Sequence, residues 1–172
     1  VDADYAVQGE YSGALGNDNE KYGMQLIARG GGKFDAYSFS GGLPGDGYDP
    51  ATDERAGPYK FATKDGSISA EHDGMTAVVK NGTILVTGSD GEKIGMLKRV
   101  DRKSKTLGKK PEKGALVLFD GTDAKAWKNG KMTKAGHLLR GTESLKKFQD
   151  CHLHMEFRVP YEPTNRGQGR GN

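Results

Sequence analysis

The chain has 172 residues, 34% hydrophobic and 28% charged, with a mean hydropathy of −0.74. That is enough for one domain or two small ones, and grouping of the apolar residues sets it apart from a disordered chain. A formal charge of +3 is mild, a single cysteine excludes an internal disulfide, and no apolar run approaches the ~18 residues of a membrane-spanning helix.

Glycine is abundant, at 27 against six prolines, yet there is no G-X-Y period, so collagen is excluded and the glycines read as turn positions. Helix-forming windows are almost absent, Thr142 to Gln149 being the one weak candidate, and the sequence predicts an all-β protein. Val1-Asp2-Ala3-Asp4 opens the chain without a methionine, as a processed or trimmed end would.

Tyr5 to Tyr11 is the first predicted strand, followed by a polar loop through Gly13, Gly16 and Asn17 to Asn19. Gly23 to Arg29 and Phe34 to Ser40 are two strands joined by Gly30-Gly31-Gly32, a hairpin with a glycine loop. Gly41 to Pro58 is too rich in Gly, Pro and Asp for a strand and is expected to be a long loop. Its Asp46, Asp49, Asp53 and Glu54 could gather round a cation such as calcium, although their spacing does not match an EF-hand.

From Tyr59 the pattern becomes regular, with Asp65-Gly66, Asp73-Gly74, Asn81-Gly82 and Asp90-Gly91 punctuating short apolar runs. These dipeptides suit type I′ turns, whose two central residues both need positive φ, so the segment reads as an antiparallel β-meander, a small barrel or sandwich, in preference to a β-solenoid. Ile68, Ala70, Met75, Ala77, Val79, Ile84, Val86, Ile94 and Met96 are its expected inward face. Residues 1–100 therefore form one predicted β domain without the look of an active site, and His72 beside a turn is expected to be exposed.

Residues 101–114, DRKSKTLGKKPEKG, are charged and lack apolar periodicity, and the domain boundary is placed there. Eight Lys or Arg fall between Lys98 and Lys113 against only Asp101 and Glu112, but without interleaved aromatics this reads as a basic linker, not a nucleic-acid surface. Strand grammar resumes at Ala115 to Phe119, then come the Asp120-Gly121 turn, Trp127, the Asn129-Gly130 turn and a hairpin through Met132 and His137-Leu138-Leu139.

The most informative stretch is Phe148 to Val159, which alternates with period two. Cys151, Leu153, Met155, Phe157 and Val159 form one set, and Asp150, His152, His154, Glu156 and Arg158 the other; a 3.6-residue period would mix them. A strand is predicted, with Cys151 buried on its apolar face. Its polar face carries a carboxylate, two imidazoles, a second carboxylate and a guanidinium in a row, where a purely structural strand would more often show Thr, Ser, Lys and Gln. His152 and His154, ~7 Å apart on one face, could share a divalent metal with Glu156, or simply hydrogen-bond on a wet sheet face. Trp127 could offer an exposed stacking face or fill a core, and Arg166 and Arg170 could bind an anionic ligand or belong to a glycine-rich loop.

The order Leu118-Phe119-Asp120-Gly121, Trp127, a short hairpin, Glu156-Phe157-Arg158 and a terminal Arg170-Gly171-Asn172 resembles the 3-keto-disaccharide hydrolase domain family. The resemblance implies a concanavalin-A-like jelly roll over residues 115–172, present only as its N-terminal third, with substrate on the concave sheet. It places Glu156 and Arg158 on the motif strand and Asn172 on the asparagine of the family's Asn-Ser-Gly turn, and the family's activity would make His154 and Glu156 the candidate general bases, Arg158 the oxyanion partner and Trp127 a sugar-stacking platform. Since the later strands are missing from the sequence, a fragment of a longer chain, or completion by another chain, is expected. The layout of a β domain, basic linker and this domain is similar to secreted proteins of planctomycete-type bacteria, which implies a secreted or periplasmic location. Three function classes follow: hydrolysis or elimination of 3-keto-glycosides by the full-length parent, non-catalytic carbohydrate binding, and self-assembly through open β edges.

Overall fold

The computed structural model describes residues 2–167, and Arg170 and Asn172 lie outside the described residues. The chain divides into two compact units, one formed by residues 2–102 together with 158–167, the other by Lys103–Phe157.

The first unit is all-β apart from one short helix. In chain order it contains α1 (Ala3–Val7), β1 (Gly9–Leu15), β2 (Glu20–Gly30), β3 (Lys33–Ser40), the two-residue β4 (Leu43–Pro44) and β5 (Gly47–Tyr48), β6 (Arg55–Lys64), β7 (Ser67–His72), β8 (Met75–Lys80), β9 (Thr83–Thr87) and β10 (Lys93–Val100). The eight long strands pair antiparallel with their sequence neighbours, and β10 returns to β1, closing a barrel. Closure leaves no unpaired edge. The only interruption is between β3 and β6, where β4 and β5 form a small parallel pair of their own.

The turns follow from local chemistry. Asp65 and Gly66, Asp73 and Gly74, and Asn81 and Gly82 all have positive φ, as two-residue type I′ turns require. Asp90-Gly91 departs from this expectation, because only Gly91 has positive φ. There the Gly88 amide donates to Glu92 and the Gly91 amide to Gly88, and a bulge follows between Lys93 and Gly95. The bulge explains a second departure: Ile94 packs against the core and so does Leu97, three residues on, while Met96 is left half-buried. Met75, at a turn, is 40% exposed and not part of the inward face.

Side chains of one parity fill the barrel, with Tyr11, Met24, Leu26, Phe34, Phe61, Val79, Ile84, Val86 and Leu97 forming its buried cluster. Where β1 meets β10, inward positions alternate small and large: Gly13 lies opposite Leu97 and Leu15 opposite Gly95. A Cβ on Gly13 would stand 2.1 Å from the Met96 carbonyl oxygen, and one on Gly95 2.3 Å from that of Ala14.

The N-terminus corrects the sequence reading. Residues 3–7 are helical, capped by the Asp2 side chain, which accepts from the Tyr5 amide at 3.2 Å, and β1 begins only at Gly9 and runs through Gly13. Val7 and Tyr161 pack on the core cluster, the Tyr11 hydroxyl donates to the Val7 carbonyl at 2.6 Å, and Tyr161 donates to Asp2 at 2.6 Å. Buried Asp4 accepts from the Gly32 amide at 2.9 Å, tying the helix to the β2–β3 turn. Arg102, just past β10, binds Glu10 through two nitrogens at 2.6 and 2.7 Å, and its guanidinium holds the Glu10 carboxyl below the ordinary range.

The second unit contains two short strands, β11 (Trp127–Lys128) paired with β12 (Glu143–Ser144), and a Met132–Leu138 bridge where a hairpin was expected. Thr142 to Gln149 is not helical, and Ala115 to Phe119 and Phe148 to Val159 are not strands. The jelly-roll sandwich is thus not formed by the described residues. A strand needs a neighbour to take its amides and carbonyls, and no described strand lies beside either segment.

Gly13→Ala is expected to destabilise the protein by about 1–3 kcal/mol, since its methyl must displace backbone, whereas Ser12→Ala should stay within about 0.5 kcal/mol. Urea unfolding measures both; equal stability of the two variants would contradict the tight closure.

Candidate functional site

Of the residues singled out by alternation, the structure brings two together. His154 Nε2 lies 3.3 Å from Glu156 Oε1, and the same carboxylate oxygen accepts a short hydrogen bond from the Gly108 amide. Two residues apart, the pair can meet without a sheet to organise them, and Gly108, from the glycine turn in the basic segment, closes the third side. The Gly108 amide, and after it the His154 ring, lower the Glu156 pKa below its ordinary value. Glu156 is therefore an anionic acceptor at neutral pH. An anionic carboxylate can only accept, so the neutral tautomer of His154 that donates from Nε2 has Nδ1 as its acceptor nitrogen.

The other members of the set join no such pair. His152 is exposed with no ion pair among the described residues, and Arg158 likewise. Among the described residues no three His, Cys, Asp or Glu side chains converge as metal ligands would. In the loop after β3, the acidic residues do not gather round a common point either. Asp46 pairs with Lys21 at 3.1 Å, Asp53 accepts from the Asp49 amide at 2.7 Å, and the Glu54 amide donates to Ser40.

Trp127 is half-buried, and its indole N–H donates to the Leu118 carbonyl at 2.7 Å, so the indole is anchored by its polar edge. It thereby links the Leu118–Gly121 turn to β11, and Asp120 shapes that turn by accepting from the Thr122 amide and hydroxyl at 2.9 and 2.6 Å. Cys151, expected to be buried, is exposed. So are its apolar companions: Leu153 is 71%, Met155 64%, Phe157 76% and Val159 59% exposed.

Sequence reasoning missed the ionic cluster on the barrel wall, where Asp35 binds Arg29 and Lys60 at 2.7 Å each. Arg29 and Asp35 flank the glycine turn and are brought together by the hairpin, a signal the sequence does carry; Lys60 comes from β6 and is visible only once β3 and β6 are known to pair. His72, expected to be exposed, is more than half exposed and packs edge-on to Tyr59.

No family model matches the chain, and comparison with curated proteins and with solved structures finds no match either. No helix among the described residues is long and apolar enough to cross a membrane.

Cys151 should react stoichiometrically and at once with a thiol-specific disulfide reagent in native protein. A thiol that became reactive only on denaturation would contradict its exposed position.

Proposed function

We propose that the chain works in a carbohydrate-active protein, where residues 115–172, within a complete jelly-roll domain of the full-length parent, contribute to cleavage of 3-keto-glycosides. The observation that carries this reading is the His154–Glu156 pair, a base oriented by a carboxylate on the segment that resembles the family's motif strand. A 3-keto group acidifies the proton at C2. His154 Nδ1 takes that proton, the C2–H electrons form the enolate, and the enolate expels the aglycone from C1 as its C1–O bond breaks. The departing oxygen is protonated, water then adds at C1, and a proton returns to C2, so the net change is hydrolysis. Glu156 acts as a positioning residue, and Arg158 is the proposed partner of the enolate oxygen. Trp127 and, outside the described residues, Arg170 and Asn172 are the proposed sugar contacts. His152 with His154 would be the start of any divalent-metal site. Secretion or a periplasmic location accompanies this reading.

His154→Ala in the full-length protein should lower kcat by roughly 10²–10⁴-fold, the usual worth of a positioned base. Glu156→Gln should lower kcat with little change in KM, measured as release of aglycone from a 3-keto-glucoside. Unchanged turnover in both variants would sink the mechanism, and sugar binding without product by the unmodified protein would leave only a carbohydrate-binding role.

A second reading rests on a different observation, the exposure of Leu153, Met155, Phe157 and Val159 on an unpaired segment. The segment is complementary to itself. Paired antiparallel with a second copy about His154, it sets Asp150 against Arg158 and His152 against Glu156 on one face, and Cys151 against Phe157 and Leu153 against Met155 on the other. Such an isologous pairing forms a two-fold dimer through main-chain hydrogen bonds and apolar contact.

Concentration-dependent sedimentation tests the register. Asp150→Arg and Arg158→Asp should each weaken association, and the double exchange D150R/R158D should restore it. A monomer at every concentration excludes this reading.

A further inference from the structure

The outer wall of the barrel carries a second feature. Ala28, Phe34 and Phe61 turn inward and lie in one cross-strand row, so the next row, Ile27, Asp35 and Lys60, is turned outward. Beside it Arg29, Lys33, Asp35, Lys60, Ala62 and Arg166 line a depression of about 410 Å³. That is the size of a small-ligand site.

Its charge is one-sided. Asp35 is shared between Arg29 and Lys60 at 2.7 Å each. Burial pushes the Asp35 carboxyl up, but hydrogen bonds from Lys60 and Arg29 outweigh it and hold the pKa below the ordinary value. The carboxylate thus stays charged and fixes both cations. Lys33 is exposed and has no ion pair among the described residues. Arg166 spends its guanidinium on neutral acceptors, the carbonyls of Pro163 and Asn165 at 2.8 and 2.9 Å and that of Arg29 at 3.4 Å. Among the described lining residues four cations therefore face one carboxylate.

We propose that this depression binds an anionic saccharide through its sulfate or carboxylate group. Guanidinium and ammonium donors converging from three strands and the 158–167 segment suit an oxyanion, to which they would make charge-assisted hydrogen bonds. The Ala62 methyl and the lysine stems give the sugar ring an apolar surface. Nucleic acid fits less well: the aromatic rings among the described lining residues, Phe34 and Phe61, are 1% and 2% exposed and offer no base a stacking platform. These residues are distinct from His154 and Glu156, so binding here and hydrolysis there can each fail alone.

Titration calorimetry of the full chain with dextran sulfate, polygalacturonate and neutral dextran tests the proposal. Dextran sulfate or polygalacturonate, or both, should bind with an affinity that falls as salt rises, and neutral dextran should not; binding of only one anionic polymer identifies sulfate or carboxylate as the group read. The paired change K33E/R166E should weaken binding at least tenfold, while K80E/K93E, which alters charge equally at exposed positions on β8 and β10, should change it less than about twofold. Should the paired variant fold poorly, Lys33→Ala alone should still weaken binding about threefold, with K80A as its control. Equal loss in both pairs, equal binding of neutral dextran, or tighter binding of a single-stranded oligonucleotide with the same sensitivity to K33E/R166E would overturn the assignment.

Discussion

The barrel unit depends on the seam where β10 meets β1. Seven of its eight contacts join strands that follow one another along the circuit, each begun by a turn or loop, but the seam joins residues nearly the whole barrel apart in sequence. It is made possible by alternation of volume, glycine against leucine, which lets the two backbones approach until a Cβ would collide with a carbonyl. An open sheet of these strands would expose two edges and leave its apolar face to solvent. Once closed, the sheet needs only its ends covered, and α1 with Tyr161 contributes to that, held by Asp2, Tyr11 and Asp4. The Glu10–Arg102 pair, 92 residues apart, fastens the strands on either side of the same seam.

The two units divide stability and chemistry differently. The barrel buries a continuous apolar cluster, so its side-chain positions are over-determined and its outer wall can hold charged groups in fixed register, as it does at Asp35. In the second unit no residue is buried, and its order comes from turns, the Trp127–Leu118 hydrogen bond and the β11–β12 pair. Reactive side chains there are brought together by sequence proximity and one glycine amide, which suffices for a His–Glu pair. It does not exclude water, and the proposed hydrolysis therefore relies on the complete domain to shape a site around that pair.

What was legible in the sequence was what is local. Asp65-Gly66, Asp73-Gly74 and Asn81-Gly82 announce their turns because positive φ is a property of those residues, and the strands between them follow. The Gly88–Glu92 loop is not legible in the same way, because a bulge depends on the partner strand, and the inward placement of Leu97 follows from that bulge. The helix at residues 3–7 carries only one local signal, the capping Asp2 three before Tyr5, and Gly13 reads locally as a loop residue because its role lies in the facing strand. For residues 148–159 the period was read correctly and the state was not: alternation describes what a strand would bury, but a strand exists only beside another. Of the proposed site, the spacing puts His154 and Glu156 on one face ~7 Å apart as strand neighbours, whereas their 3.3 Å contact arises on a segment that is not a strand, and the part played by Gly108, 48 residues away, has no local signal.

The central claim is that main-chain order is concentrated in the closed barrel and that residues 150–157 have no strand partner among the described residues. Amide hydrogen exchange on dilute protein tests it directly. Tyr11 in β1 and Leu97 in β10 should be among the slowest amides, and residues 150–157 should exchange near the rate of an unstructured peptide. Protection of residues 152–156 comparable to that of β10 in a protein shown to be monomeric would contradict the account.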